Sequence, residues 1–141
     1  MTIDGQPVDL ADTLTYKSFM LSGIPNFAFA VGYTNSSWTL KVDLVCEHLC
    51  RLLSYMDAHG WDTVVPVADD PTVTRRPLLD FHAGYVRRAV ELFPKQGSHG
   101  PWTVEMNYAA DRERLREGPV ADPALRFGAS ARRRPDHASA A

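Results

Sequence analysis

Apolar residues recur at three- and four-residue intervals over one long stretch of this chain. Leu40, Leu44, Val45, Leu49, Leu52, Leu53 and Met56 mark one face, while Lys41, Asp43, Glu47, His48, Arg51 and Ser54 fill the other. This spacing predicts an amphipathic helix from about Trp38 to Ala58. At 1.5 Å per residue it is roughly 30 Å long. Gly60 suits its C-terminal stop, and Asn35, Ser36 or Ser37 its N-cap.

Ahead of the helix, Phe27 to Val31 is an unbroken apolar run between Asn26 and Gly32, which predicts a strand covered on both faces, as in a parallel sheet. Asp12 to Met20 alternates polar with apolar and predicts an extended, half-buried segment. Asp4-Gly5, between Ile3 and Val8, is a two-residue hairpin signal. A first strand of about three residues is short against the usual five or six, so the chain reads as part of something longer. Strand, polar loop and helix make half of a βαβ unit, and the other half is missing. The fold class is α/β, and incomplete.

Beyond Val67 the pattern breaks up. Prolines at 66, 71, 77, 94, 101, 119, 123 and 135 forbid long regular elements. Short turns are expected, with a helical turn near Tyr85 to Val90 and a helix around Tyr108 to Arg116. The chain thus divides into residues 1–62 (hairpin, strand, long helix), 63–127 (an irregular, Pro-rich wrap over a neighbouring body) and 128–141 (a tail without apolar pattern, expected to be disordered). There is no internal repeat.

Composition narrows the class. With 141 residues, 45% hydrophobic and 23% charged, the chain has the make-up of one soluble globular domain. A formal charge of −2 gives no reason to expect nucleic acid as a partner. No apolar run approaches the ~20 residues of a membrane span. The first residues lack a basic segment followed by an apolar one, so no secretory signal is read there. Cys46 and Cys50 lie inside the helix and are expected to be reduced, buried thiols of a cytoplasmic protein.

The loop from Gly32 to Thr39 is the leading candidate site. A glycine, then Thr34, Asn35, Ser36 and Ser37, lead into a helix N-terminus, where backbone N–H groups and about half a positive charge face outward. The same residues also serve simply as caps, and pattern alone leaves both readings open. The loop lacks Gly-x-Gly-x-x-Gly spacing and is no phosphate loop. Cys46-Glu47-His48-Leu49-Cys50 suggests a metal, but His48 points away from the two thiols and a structural zinc wants four ligands. Asp69-Asp70-Pro71 reads as a turn, and Glu47, His48 and Arg51 as a solvated face. Ser37, His48 and Asp43 form a nucleophilic triad only on paper, without a nucleophile elbow. Arg132, Arg133 and Arg134 share the tail with Asp136 and imply at most a weak electrostatic contact.

Several ordered motifs carry a family resemblance. They are Leu14-Thr15-Tyr16-Lys17, Pro25-Asn26-Phe27, Gly32-Tyr33-Thr34-Asn35-Ser36-Ser37-Trp38-Thr39-Leu40-Lys41 and Cys50-Arg51-Leu52-Leu53. Further along come Leu79-Asp80-Phe81, Gly84-Tyr85-Val86, Pro94-Lys95-Gln96-Gly97, Pro101-Trp102 and Asn107-Tyr108. Over about residues 1–127 the chain resembles the C-terminal part of class B flavoprotein monooxygenases. These are the flavin-containing and Baeyer–Villiger enzymes, and the nearest branch holds the bacterial ethionamide-activating ones.

The resemblance implies an incomplete piece of a fold with two dinucleotide-binding domains. It also implies FAD and NADPH as cofactors, and oxygenation of ketones or soft heteroatoms through a peroxyflavin. Gly32, Asn35, Ser36, Ser37, Trp38, Thr39 and Leu40 become the implied flavin contacts, acting mostly through backbone. The family's glycine-rich fingerprints and catalytic arginine have no counterpart here, so the isolated chain is expected to bind FAD poorly and not to turn over. The implied partner is the missing N-terminal FAD- and NADPH-binding portion, or a second copy covering the exposed apolar face. A different class of function is a non-catalytic module that pairs with a separate flavin-binding chain.

Overall fold

The computed structural model describes residues 1–79 and 89–130. Among them, small antiparallel ladders and short helical turns surround one long helix. Strands β1 (Thr2–Ile3) and β2 (Gln6–Pro7) form the expected first hairpin, with Ile3 opposite Gln6. Asp4 and Gly5 take φ of 49° and 79°, the left-handed pair that a tight hairpin turn requires.

The segment expected to be half-buried is a second hairpin, buried from Thr13 onward. Strand β3 (Thr15–Tyr16) pairs with β4 (Met20–Leu21), and residues 13–21 are all shielded. Its turn places Lys17 and Ser18 at φ 46° and 63°, although neither is glycine. That conformation costs an ordinary residue about 1–2 kcal/mol. Docking offsets it: the Lys17 amide donates to Pro101 O (2.6 Å), and its ammonium reaches Pro119 O (3.3 Å) and Asp122 (3.7 Å). Burial lowers the Lys17 pKa, and Asp122 opposes that shift.

Helix α1 (Trp38–His59) matches its expected bounds, and Gly60 ends it at φ 69°. Its buried face differs from the expected one. Lys41, Leu44, Val45, His48, Leu52 and Met56 point inward, whereas Leu40 and Leu53 are 41% and 52% exposed. The cause is what packs on it. Beside the apolar Leu115, residues 105–118 present a row of carbonyl oxygens, so the helix turns long polar side chains toward them. Lys41 donates to Glu105 O (2.5 Å), His48 Nδ1 lies 2.7 Å from Leu115 O, and Arg51 reaches Leu115 O, Arg116 O and Gly118 O at 2.8–3.0 Å. These acceptors cluster where α2 (Tyr108–Asp111) runs on into a π-helical turn (Arg112–Glu117), close to the helix expected there.

Phe27–Val31 is not the doubly covered strand expected and forms no strand ladder among the described residues. Phe27, Phe29 and Val31 are half-buried and Ala28 and Ala30 exposed, an alternation with one face open. Among the described residues its backbone makes a single hydrogen bond, Phe29 N–H to Phe19 O (2.8 Å). Among the described residues no strand pairs with it.

The Pro-rich region contributes β5 (Thr63–Pro66), β6 (Arg75–Pro77), β7 (Lys95–Gly97) and β8 (Leu125–Gly128), paired β5–β8 and β6–β7. It shares one core with the rest of the chain: Trp102, Leu115 and Leu125 join Tyr16, Phe19, Met20, Leu44 and Leu52. Gly128, expected to open a disordered tail, pairs with Thr63, and Ser130 N–H donates to Asp62 (2.8 Å). The helical turn expected near Tyr85 to Val90 lies mostly, and the arginines at 132–134 wholly, outside the described residues.

His48 carries a pH dependence. It is fully buried, packed edge-on against Phe19 (5.4 Å), and its Nε2 has no partner among the described residues. Burial pulls its pKa down to about 4, against an opposing hydrogen bond to Leu115. The folded form therefore holds His48 neutral while the unfolded chain protonates near 6.5. Its contribution is complete above about pH 6.5 and is lost as pH falls toward 4, about 3 kcal/mol in all. His48→Asn, whose amide can replace the bond to Leu115 O, is expected to flatten that loss in urea unfolding. A constant difference from the parent between pH 6.5 and 4 would contradict the assignment.

Candidate functional site

The loop from Gly32 into α1 is built by contacts from both sides. Gly32 is buried beneath the Trp38 indole, and a Cβ there would meet Trp38 ring carbons at 2.3–2.6 Å. Only glycine allows this contact, which folds the loop back onto the helix start. Tyr33 points inward and donates to Asp111 Oδ2 (2.7 Å). Lys41 Nζ lies 3.1 Å from the same oxygen, with both side chains fully buried, and 5.2 Å from the Tyr33 ring centroid.

Burial lowers the Lys41 pKa while Asp111 opposes it, and burial followed by the Asp111 bond raises that of Tyr33. A buried pair of this kind gains little net stability when complete, and removing one partner is costly. Its effect here is geometric: one carboxylate ties the loop, the first turn of α1 and α2 to one point. Asn107 caps α2 through Ala110 N–H (3.1 Å).

One further expected contact, Asn35, serves this anchoring, beside its neighbour Thr34. Asn35 Nδ2 donates to Met106 O (3.1 Å), and Thr34 Oγ1 lies 3.8 Å from Met106 Sδ. The others face solvent: Ser36, Ser37, Trp38, Thr39 and Leu40 are all exposed. Ser37 is the N-cap residue yet makes no capping bond, and its hydroxyl sits 3.0 Å from Thr39 Oγ1 instead. The amides of Trp38 and Thr39 therefore have no acceptor among the described residues, and Leu40 N–H has a long bond to Ser37 O (3.3 Å). The positive end of a long helix is uncapped and open.

The remaining candidates separate. Cys46 and Cys50, expected to be buried, are free and exposed, because the face of α1 that took the core is that of Leu44, His48 and Leu52. Among the described residues no group of three or more His, Cys, Asp or Glu side chains could hold a metal ion, and no helix is long and apolar enough to cross a membrane. Glu47 pairs with Arg116 (2.7 Å) while Arg51 and His48 bind backbone, so no catalytic face assembles. His48 is sealed in the core and Ser37 lies exposed at the helix start, so the paper triad does not form. Asp70 accepts from the Thr72 amide (2.9 Å) and Asp69 meets Arg126 (3.0 Å), the turn expected. Sequence reasoning missed Lys41 and Asp111. Lys41 shares the Leu44 and His48 face by its spacing of three and seven, a signal that assigning charge to solvent had overridden.

The chain is similar to the FAD-containing monooxygenase EthA of Mycobacterium tuberculosis, 54% identical over 126 residues, covering 89% of this chain and 26% of that protein. EthA of Mycolicibacterium smegmatis is 49% identical over 127 residues, covering 90% of this chain and 26% of the relative. AlmA of Acinetobacter baylyi, described as a probable FAD-binding monooxygenase, is 44% identical over 127 residues, with 89% and 26% covered. This chain thus spans about a quarter of the length of the curated relatives it matches. No family model matches it, and no solved structure does so significantly.

Gly32→Ala is expected to displace the Trp38 indole, destabilise by about 1–3 kcal/mol as overpacking does, and shift tryptophan emission. Adding Trp38→Ala should recover most of that loss. Equal losses in the single and double variants would show that the contact is not the constraint.

Proposed function

We propose that this chain, related by sequence to the FAD-containing monooxygenases, supplies the helix start that faces the flavin in a FAD- and NADPH-dependent monooxygenase acting on ketones or soft heteroatoms. The observation that carries the reading is the uncapped first turn of α1, held open and fixed from behind by the Tyr33–Asp111–Lys41 cluster. Bound FAD supplies the redox and oxygen chemistry that side chains lack. This chain contributes orientation and field. The Trp38 and Thr39 amides, at the positive end of a 22-residue helix, suit negative charge on the electron-rich edge of a flavin.

The donor set fits such a ring. Ser36, Ser37 and Thr39 offer hydroxyls beside the free amides, and the exposed face of Trp38 offers a flat apolar neighbour. The cluster behind the loop is an ion pair, so it adds no net charge to compete with the helix end. A helix end is worth about 0.3–1 kcal/mol toward an anion, which tunes a cofactor but does not retain one. Phosphate anchors must therefore come from elsewhere, since these 141 residues contain no glycine-rich fingerprint. NADPH binding lies on that other portion as well. The chain alone is inactive on this reading.

A chimera tests it: this chain replacing the matching stretch of M. tuberculosis EthA. It is expected to retain FAD and to couple NADPH oxidation to oxygenation. Thr39→Pro, which removes one first-turn amide where proline is tolerated, should weaken FAD retention about 2- to 5-fold, the factor that corresponds to 0.3–1 kcal/mol. A folded chimera without FAD would contradict the proposal.

A further inference from the structure

Behind the first turn of α1 lies a charge balance that two side chains maintain between them. Lys41 is the fourth residue of the helix, about 4.5 Å along its axis from Trp38. Its Nζ is enclosed by Asp111 Oδ2 at 3.1 Å, Glu105 O at 2.5 Å and the face of the Tyr33 ring at 5.2 Å. Among the described residues Asp111 is the only carboxylate within ion-pair distance of it, and neither side chain of the pair is exposed to solvent. The other ionisable groups that act on the cluster are Glu105 and Arg114, which face each other at 3.7 Å, and the exposed Tyr108.

The pair is not the arrangement expected of a purely mechanical tie. Tyr33 and Lys41 both reach Asp111 Oδ2, while Oδ1 is buried without a hydrogen-bond partner among the described residues. A buried carboxylate with one oxygen bare is poorly stabilised by hydrogen bonds, so the Lys41 charge is what keeps it ionised. Buried charge is also weakly screened. If either partner stood alone, a full unit of charge would lie behind a helix end that carries about half of one. Lys41 alone would reinforce that end, and Asp111 alone would oppose it. Paired, they leave it unchanged.

We propose that Lys41 and Asp111 are positioning residues: they hold the first-turn amides and cancel each other's charge behind them, and so fix the reduction potential of a flavin that faces this turn. The target rests on the flavin-facing reading above. What is added is the source and the sign of the control, exerted by a carboxylate of the C-terminal wrap 78 residues from the loop tyrosine it also binds. Reduction adds negative charge to the flavin, so an unopposed cation here raises the potential and an unopposed anion lowers it.

Two measurements test it. On the isolated chain, hydroxide-catalysed exchange of the exposed Trp38 and Thr39 amides reports the local charge. Asp111→Asn, which leaves the ammonium unopposed, should speed it about 3- to 10-fold, and Lys41→Met, which leaves the carboxylate unopposed, should slow it by a similar factor. In the chimera with M. tuberculosis EthA, the same substitutions should move the flavin potential up and down respectively. Each shift should reach about tenfold in the reduction equilibrium, or about 30 mV for a two-electron couple. Lys41→Met combined with Asp111→Asn removes both charges and should match the parent in both measurements, even where a single variant does not fold. In amide exchange, shifts of one sign in both single variants, no shift in either, or a double variant unlike the parent overturns the proposal. A chimera without FAD, or an unmoved potential beside opposite shifts in exchange, overturns the flavin-facing reading while the charge balance stands.

Discussion

The C-terminal wrap holds helix α1 by its polar side, and the rest of the structure follows from that grip. Lys41, His48 and Arg51 reach four successive regions of the wrap, at Glu105, Asp111, Leu115–Arg116 and Gly118. Lys41, His48 and Arg51 satisfy carbonyls at Glu105 and Leu115 that the irregular segment otherwise leaves shielded without partners. A Pro-rich chain cannot satisfy its own backbone through long ladders, so it borrows donors from the helix. The apolar residues that remain complete the core on one flank and stand open on the other.

This arrangement connects packing to the candidate site. The Lys41–Asp111 pair lies one turn from the helix start, so the position of the first-turn amides is set by the wrap as well as by the helix. Gly32, Tyr33 and Asn35 carry that constraint into the loop through three different contacts: close approach to an indole, a buried phenol and an amide on Met106 O. Pre-organisation of this kind fixes partially charged backbone groups so that they need not reorganise toward whatever faces them.

Local signals in the sequence suffice where one short-range rule dominates. The bounds of α1, Gly60 at its end, the Asp4-Gly5 hairpin and the helix from Tyr108 each follow from spacing or turn chemistry. Long-range competition defeated the rest. His48 and Lys41 were assigned to solvent because amphipathicity places charge outside, whereas the wrap offers them carbonyls that no local window shows. Phe27–Val31 has the composition of a covered strand but pairs with none among the described residues, since composition records the kind of partner a segment suits and not whether one lies beside it. The candidate loop is legible as a helix start, but its division into anchoring residues (Gly32, Asn35) and outward-facing ones (Ser36 to Leu40) needs the wrap in place.

Amide hydrogen exchange on the isolated chain tests this account most directly. It predicts strong protection from Leu44 to Met56 and in α2, a protected Phe29, and rapid exchange at Ala28, Ala30, Trp38 and Thr39. Uniform protection from Phe27 to Val31, or none in α2, would contradict it: the first would mean the edge is already paired, the second that the wrap does not hold the helix.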